Sequence, residues 1–190
     1  MTQKRTLDLD KVLAKATEMI ESRGLSEMTM PNLAKALGVR SQSLYHYVKN
    51  RSQLLSLVAA SRIRLLYQDL LNQLVGLSGH EALFKFADVV RDRLLEDQAL
   101  ATLLYHVDEI SDNLEVVKEV VKILDLGDQL QVDTEHVVSQ HALVGAVLGY
   151  VFLDRFIDGQ EKVESPREAE ENYHEMIWRL VSPSVQQSNA

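Results

Sequence analysis

At 190 residues, with 46% hydrophobic and 25% charged, the chain has the make-up of a globular protein holding one domain, or a small and a medium one. It contains no cysteine, which excludes disulfides, thiolate metal sites and a cysteine nucleophile and fits a reducing cytoplasm; it also shows no secretory signal and no apolar run near the roughly 20 residues of a membrane span. The net charge of −8 averages two unlike parts: residues 1–64 hold 11 Lys and Arg against 5 Asp and Glu, whereas residues 65–190 hold 9 against 23, so a basic head precedes an acidic body.

The elements predicted along the chain are helical throughout. Helix one opens at Asp8, whose carboxylate caps the first turn, and Val12, Leu13, Ala16, Met19 and Ile20 recur at a period near 3.6. Gly24 suits a left-handed cap at its end. Thr29 caps helix two, Pro31 lies in the first turn where a missing N–H costs little, and Gly38 closes the helix. Helix three spans about Ser41 to Val48. Asn50 followed by Gln53 reads as a cap with a partial capping box for a long helix four reaching about Val75. Further helices are expected near residues 80–96, 98–107, 113–125, 134–157 and 167–181. Breaks are expected at Leu126-Gly127-Asp128, Asp158-Gly159-Gln160 and Ser165-Pro166, and the tail from Ser184 to Ala190 reads as frayed.

Residues 29–54 carry the most specific pattern. Leu33, Leu37, Val39, Leu44 and Tyr47 fall where two crossed helices need apolar contacts, and Ala34 sits where a bulky side chain would hold them apart. That is a helix-turn-helix, whose second helix enters the major groove of DNA. In helix three, Leu44 and Val48 lie one turn apart and face inward, which turns Ser41, Gln42, Ser43 and His46 outward. An exposed Gln42 offers one donor and one acceptor to an adenine edge, Ser41 and Ser43 suit bases or phosphates, and Lys49 and Arg51 are placed to neutralise phosphates.

The stretch LAKALGV followed by SLYHYVKNRSQLL, preceded by KVLAKATEMIESRGLSEMTM, closely resembles the N-terminal DNA-binding domain of TetR-family transcriptional repressors over roughly residues 8–58. The resemblance implies DNA contacts at positions matching Tyr45, His46, Tyr47 and Arg51, and Thr29 at the entry to helix two completes the expected DNA-binding set. Two departures stand out. Arg40 occupies the place of a usual capping Ser or Thr, so Ser41 is expected to cap one residue later. Met30 and Pro31 stand where many relatives carry a polar or basic residue, so the operator need not follow theirs.

The expected division is a DNA-binding domain over residues 1–50 and a helical effector-binding and dimerisation domain over residues 51–190. The segment HALVGAVLGYVFLDRF is apolar on every side in its middle and must be covered all round. Gly145 and Gly149, with Ala142 and Ala146, form a small-residue stripe that permits close helix approach. The resemblance implies that the last two helices pair with their symmetry mates, with Gly145, Gly149, Phe152 and Trp178 at the dimer interface. A small-molecule effector is expected among Tyr67, Phe86, Tyr105, His106, Gln140 and His141, with Phe84, Leu104 and Tyr150 as further apolar lining.

Catalysis finds no pattern: there is no phosphate-binding glycine loop and no G-x-S-x-G elbow, and His80-Glu81 and His174-Glu175 lack the second His of a zinc motif. No metal or cofactor is expected, since His136 and His141 are not spaced to share a helix face. The sequence thus points to an all-α, cytoplasmic, homodimeric regulator bound to a palindromic duplex operator, most simply a repressor released by a small molecule. The alternatives are a DNA-binding regulator without an effector, or a helical ligand-binding or interaction protein.

Overall fold

The computed structural model describes residues 7–110, 114–130, 138–157 and 165–182, and every regular element among them is helical. In chain order these are α1 (Leu9–Arg23), a 3-10 turn (Leu25–Glu27), α2 (Met30–Leu37), α3 (Ser41–Leu44), α4 (Arg51–Gln73), α5 (Gly79–Glu96), α6 (Gln98–Tyr105), α7 (Val107–Ile110), α8 (Leu114–Gln129), α9 (Gln140–Ile157) and α10 (Pro166–Val181). None of the described helices is long and apolar enough to cross a membrane. The chain divides into two compact units, Met1–Leu65 with Asp97–Val120 and Leu66–Glu96 with Val121–Ala190. Helices α4 and α8 contribute residues to both.

In the first unit, local chemistry sets most helix ends. Asp8 accepts a 2.9 Å bond from the Lys11 N–H and starts α1, which buries Val12, Ala16, Met19 and Ile20. Gly24 has φ +82° but an extended ψ of 166°, so the chain leaves α1 straight into the 3-10 turn and not through the expected left-handed cap. Thr29 caps α2 by accepting from the Asn32 N–H at 3.3 Å. Gly38, at φ +68° and ψ 29°, takes the left-handed conformation that ends α2 without the steric cost a Cβ would bring. Asn50 Oδ1 caps α4 through the Gln53 N–H at 2.8 Å, while Gln53 Oε1 accepts from the Lys49 N–H at 2.6 Å, one residue earlier than a standard capping box.

Two further differences from the sequence expectation have clear causes. The helix expected over residues 98–107 divides at His106, whose ring Nδ1 lies 2.8 Å from the Thr102 carbonyl, leaving α7 as a separate turn. Gly127 does not break α8. It lies within the helix, and Gln140 packs where its Cβ would stand, so the missing side chain permits a close approach and does not make a turn. The expected break at residues 158–160 and the tail from Ser184 lie outside the described residues.

Helix α6 packs on α1, and a buried charge pair starts it. Asp97 caps α6 through the Leu100 N–H at 2.9 Å, and its other oxygen receives the Arg62 Nε at 2.6 Å. In the second unit α5 packs on α9 and α10, burying Leu83, Phe86, Val90, Leu143, Val147, Val151, Tyr173 and Ile177. Arg155 of α9 donates to the last carbonyls of α5, Leu94 at 2.6 Å and Leu95 at 2.9 Å, and so satisfies its C-terminus. Ser165 and Glu168 form a complete capping box for α10.

The Asp97 side chain is nearly wholly buried, so Asp97→Ala removes a helix cap and strands Arg62. It should destabilise the protein by about 3 kcal/mol in thermal or urea unfolding, whereas Asp97→Asn, which keeps a capping acceptor, should cost clearly less.

Candidate nucleic-acid interface

The α2–Gly38–α3 segment presents one buried and one open side. Leu33, Ala34, Leu44 and Val48 are buried, as are Leu54, Leu55 and Val58 at the start of α4, and α2 packs on both α1 and α3. Fully burying a leucine such as Leu44 stabilises by roughly 2 kcal/mol, which fixes α3 about its axis. The opposite side carries Gln42, Tyr45, His46 and Lys49 in solvent, with Tyr45 54% exposed, while Ser41 and Ser43 are half-buried beside them. An exposed amide, tyrosine, imidazole and lysine within residues 42–49 can meet base edges and phosphates without displacing core packing.

Several expected contact residues have other duties. Ser41 is the first residue of α3; Arg40 holds the cap position and makes no capping bond through its side chain. The Thr29 hydroxyl oxygen caps α2. Tyr47 is half-buried and donates its hydroxyl to the Leu7 carbonyl at 2.6 Å, tying the turn after α3 to the start of the chain. Arg51 is turned inward: its Nε donates to the Met28 carbonyl at 2.8 Å, one terminal nitrogen donates to the Leu25 carbonyl at 3.0 Å, and the other pairs with Glu109. Sequence reasoning missed Glu109 because its partner lies 58 positions away.

The family described as "Bacterial regulatory proteins, tetR family" matches residues 12–58. The HTH-type transcriptional repressor DrrR1 of Streptomyces coeruleorubidus is 38% identical over 55 residues, which are 29% of this chain and 20% of that protein. The chain therefore spans about a fifth of the length of the curated relative it matches. The matched residues are those of the α1–α4 frame just described. The chain therefore carries an N-terminal helix-turn-helix domain of the TetR type. The likeness in fold extends further. The fatty acid degradation regulator FadR of Bacillus halodurans aligns over 92% of this chain and 96% of its own, at 16% identity and a TM-score of 0.70. TetR of Acinetobacter baumannii, in complex with minocycline, aligns over 93% and 95%, at 18% identity and a TM-score of 0.62. An all-helical, TetR-like fold thus runs through most of the chain.

Outside the TetR-type domain, the expected effector residues divide between the two units. Tyr105 and His106 lie in the first, with His106 exposed and Tyr105 half-buried. In the second, Phe86 is wholly buried core, Tyr67 is half-buried, His141 is exposed, and Gln140 is buried with neither end of its amide hydrogen-bonded among the described residues. Of the further lining candidates, Leu104 is half-buried in the first unit, and in the second Tyr150 donates to the Ala169 carbonyl at 2.5 Å.

The second unit also has an open groove of about 500 Å³, lined by Leu77, His80, Glu81, Phe84, Lys85, Asp88 and Trp178. Its α5 residues repeat every three or four positions, the signal that could have revealed it. Burial holds the Asp88 carboxyl above the ordinary carboxylate range, partly offset by His174 at 3.3 Å. The α9 residues Gly145, Gly149 and Phe152, with Phe156, form an exposed stripe at one-turn spacing; Phe156 is 74% and Trp178 of α10 60% exposed.

Tyr47→Phe removes only the bond to Leu7 while leaving the ring in place. It should lower the unfolding free energy by about 1 kcal/mol, measured by urea denaturation, and a change near zero would show that this tie does not hold the turn.

Proposed function

We propose that the chain is a cytoplasmic, homodimeric transcriptional repressor that occupies a palindromic duplex-DNA operator and leaves it when a small molecule binds its C-terminal part. The observation that carries this reading is the side-chain division at α3: Leu44 and Val48 are buried, and Gln42, Tyr45, His46 and Lys49 face solvent in the basic stretch of an otherwise acidic chain. Local positive charge governs docking on phosphates, and the polar face supplies base-edge donors and acceptors.

One short α3 touches too few base pairs for useful specificity, and a two-fold pair reading half-sites about 34 Å apart supplies the rest. The exposed stripe of α9 supports such pairing, because Gly145 and Gly149 leave open space beside the helix and Phe152, Phe156 and Trp178 are costly to leave in water. A small-molecule response is supported by the groove between Phe84 and Trp178, whose volume suits a drug-sized ligand and whose walls carry a few polar groups. The solved relative with minocycline shows that this fold accommodates such a ligand in that protein. Ligand binding then favours a state of lower operator affinity, with α4 and α8, which contribute to both units, as the continuous elements available to carry it.

The DNA reading is tested with a duplex selected from a random library by the wild-type chain. Gln42→Ala should weaken binding about tenfold and relax base preference at one position in each half-site, with the salt slope unchanged. Lys49→Ala should lower the salt slope by about one per subunit and weaken binding to all sequences alike. Wild-type binding that does not respond to salt would sink the repressor reading. For the dimer, Phe152→Glu combined with Trp178→Glu should convert the sedimenting species from dimer to monomer; a wild-type chain that is monomeric at micromolar concentration would contradict it.

A further inference from the structure

Arg51 is the first residue of α4, directly after the turn that follows α3, and its guanidinium gives every side of its fork to the protein. Two of its acceptors, the Leu25 and Met28 carbonyls, bracket the 3-10 turn that feeds the Thr29 cap of α2. The third is the Glu109 carboxylate on α7. Glu109 is itself placed by neighbours on α4: the Ser52 hydroxyl donates to its carbonyl at 2.8 Å, and the Ser56 hydroxyl donates to the Ile110 carbonyl at 3.3 Å. One side chain therefore joins the entry to α2, the start of α4 and the end of α7. The recognition turn α3 hangs between the first two.

We propose that Arg51 and Glu109 are positioning residues: α7, through this ion pair, sets the pose in which α2 and α3 meet duplex DNA. The inference rests on the DNA-binding reading above, and it departs from the expectation that Arg51 neutralises a phosphate. The side chains of the pair remain 31% and 29% exposed, so its Coulombic contribution to folding is small; its effect lies in geometry, where a planar fork fixes three acceptors at once. A lysine at this position keeps the charge but cannot span all three.

The sign of the effect separates this role from plain electrostatics. Removing a carboxylate from a DNA-binding surface should by charge alone tighten binding to phosphates. Positioning requires the reverse.

The test uses the full chain, the duplex selected by the wild type, and a random-sequence duplex of equal length, titrated over a range of salt. Glu109→Gln and Arg51→Lys should each weaken binding to the selected duplex about tenfold, with affinity for the random duplex and the salt slope as in the wild type. Tighter or unchanged binding by Glu109→Gln overturns the proposal. So does wild-type affinity in Arg51→Lys together with a slope reduced by about one in Arg51→Ala, the signature of a phosphate contact. An equal loss on both duplexes also overturns it, because that is what a merely loosened fold produces. If the wild type itself shows no salt-dependent binding, the DNA-binding reading fails and the positioning role with it; if the wild type binds and the variants are indifferent, the positioning role alone fails.

Discussion

A four-residue helix cannot hold itself together in water, because a single turn fixes several backbone angles for one hydrogen bond. Everything proposed for α3 depends on that constraint. Its shape is imposed from outside by the burial of Leu44 and Val48, by the Tyr47 hydroxyl on the Leu7 carbonyl, and by the Arg51 fork that pins the chain on both sides of it. Because these groups supply the order, the remaining side chains of the turn are released from structural duty. Gln42, Tyr45, His46 and Lys49 are open to a partner for that reason.

The charge distribution follows the same logic. Three of the basic residues that make the head positive, Arg51, Arg62 and Arg64, are matched inside the first unit by Glu109, Asp97 and Glu119. The acids all come from the stretch after residue 96, part of the acidic body in the sequence but of the first compact unit in space. Among the described residues, Lys35, Arg40 and Lys49 face solvent near the recognition turn. These three stand where α2 ends and α4 begins, which suits the docking surface proposed above.

The parts of the fold governed by near neighbours were legible in the sequence. Asp8 and Thr29 each cap a helix through an N–H three residues on, and Gly38 takes the positive φ that its place between two helices demands. The inward Leu44 and Val48 followed from one-turn spacing alone. What escaped was governed by distant partners. Nothing local distinguishes an arginine bound for a phosphate from one bound for Glu109, and nothing local shows that Gly127 makes room for Gln140 inside a continuous helix. The groove beside Phe84 was partly legible, since its α5 residues share one stripe, but Trp178 reaches it from another helix.

The central claim is that an α3 turn held in place by the protein's own contacts presents its open face to duplex DNA. Hydrogen exchange of the full chain, with and without a selected duplex, addresses it most directly. Exchange should slow on adding DNA across residues 38–50 and stay unchanged across residues 98–110, because the anchoring contacts are already made in the free protein. Unchanged exchange across residues 38–50 at saturating duplex would contradict it.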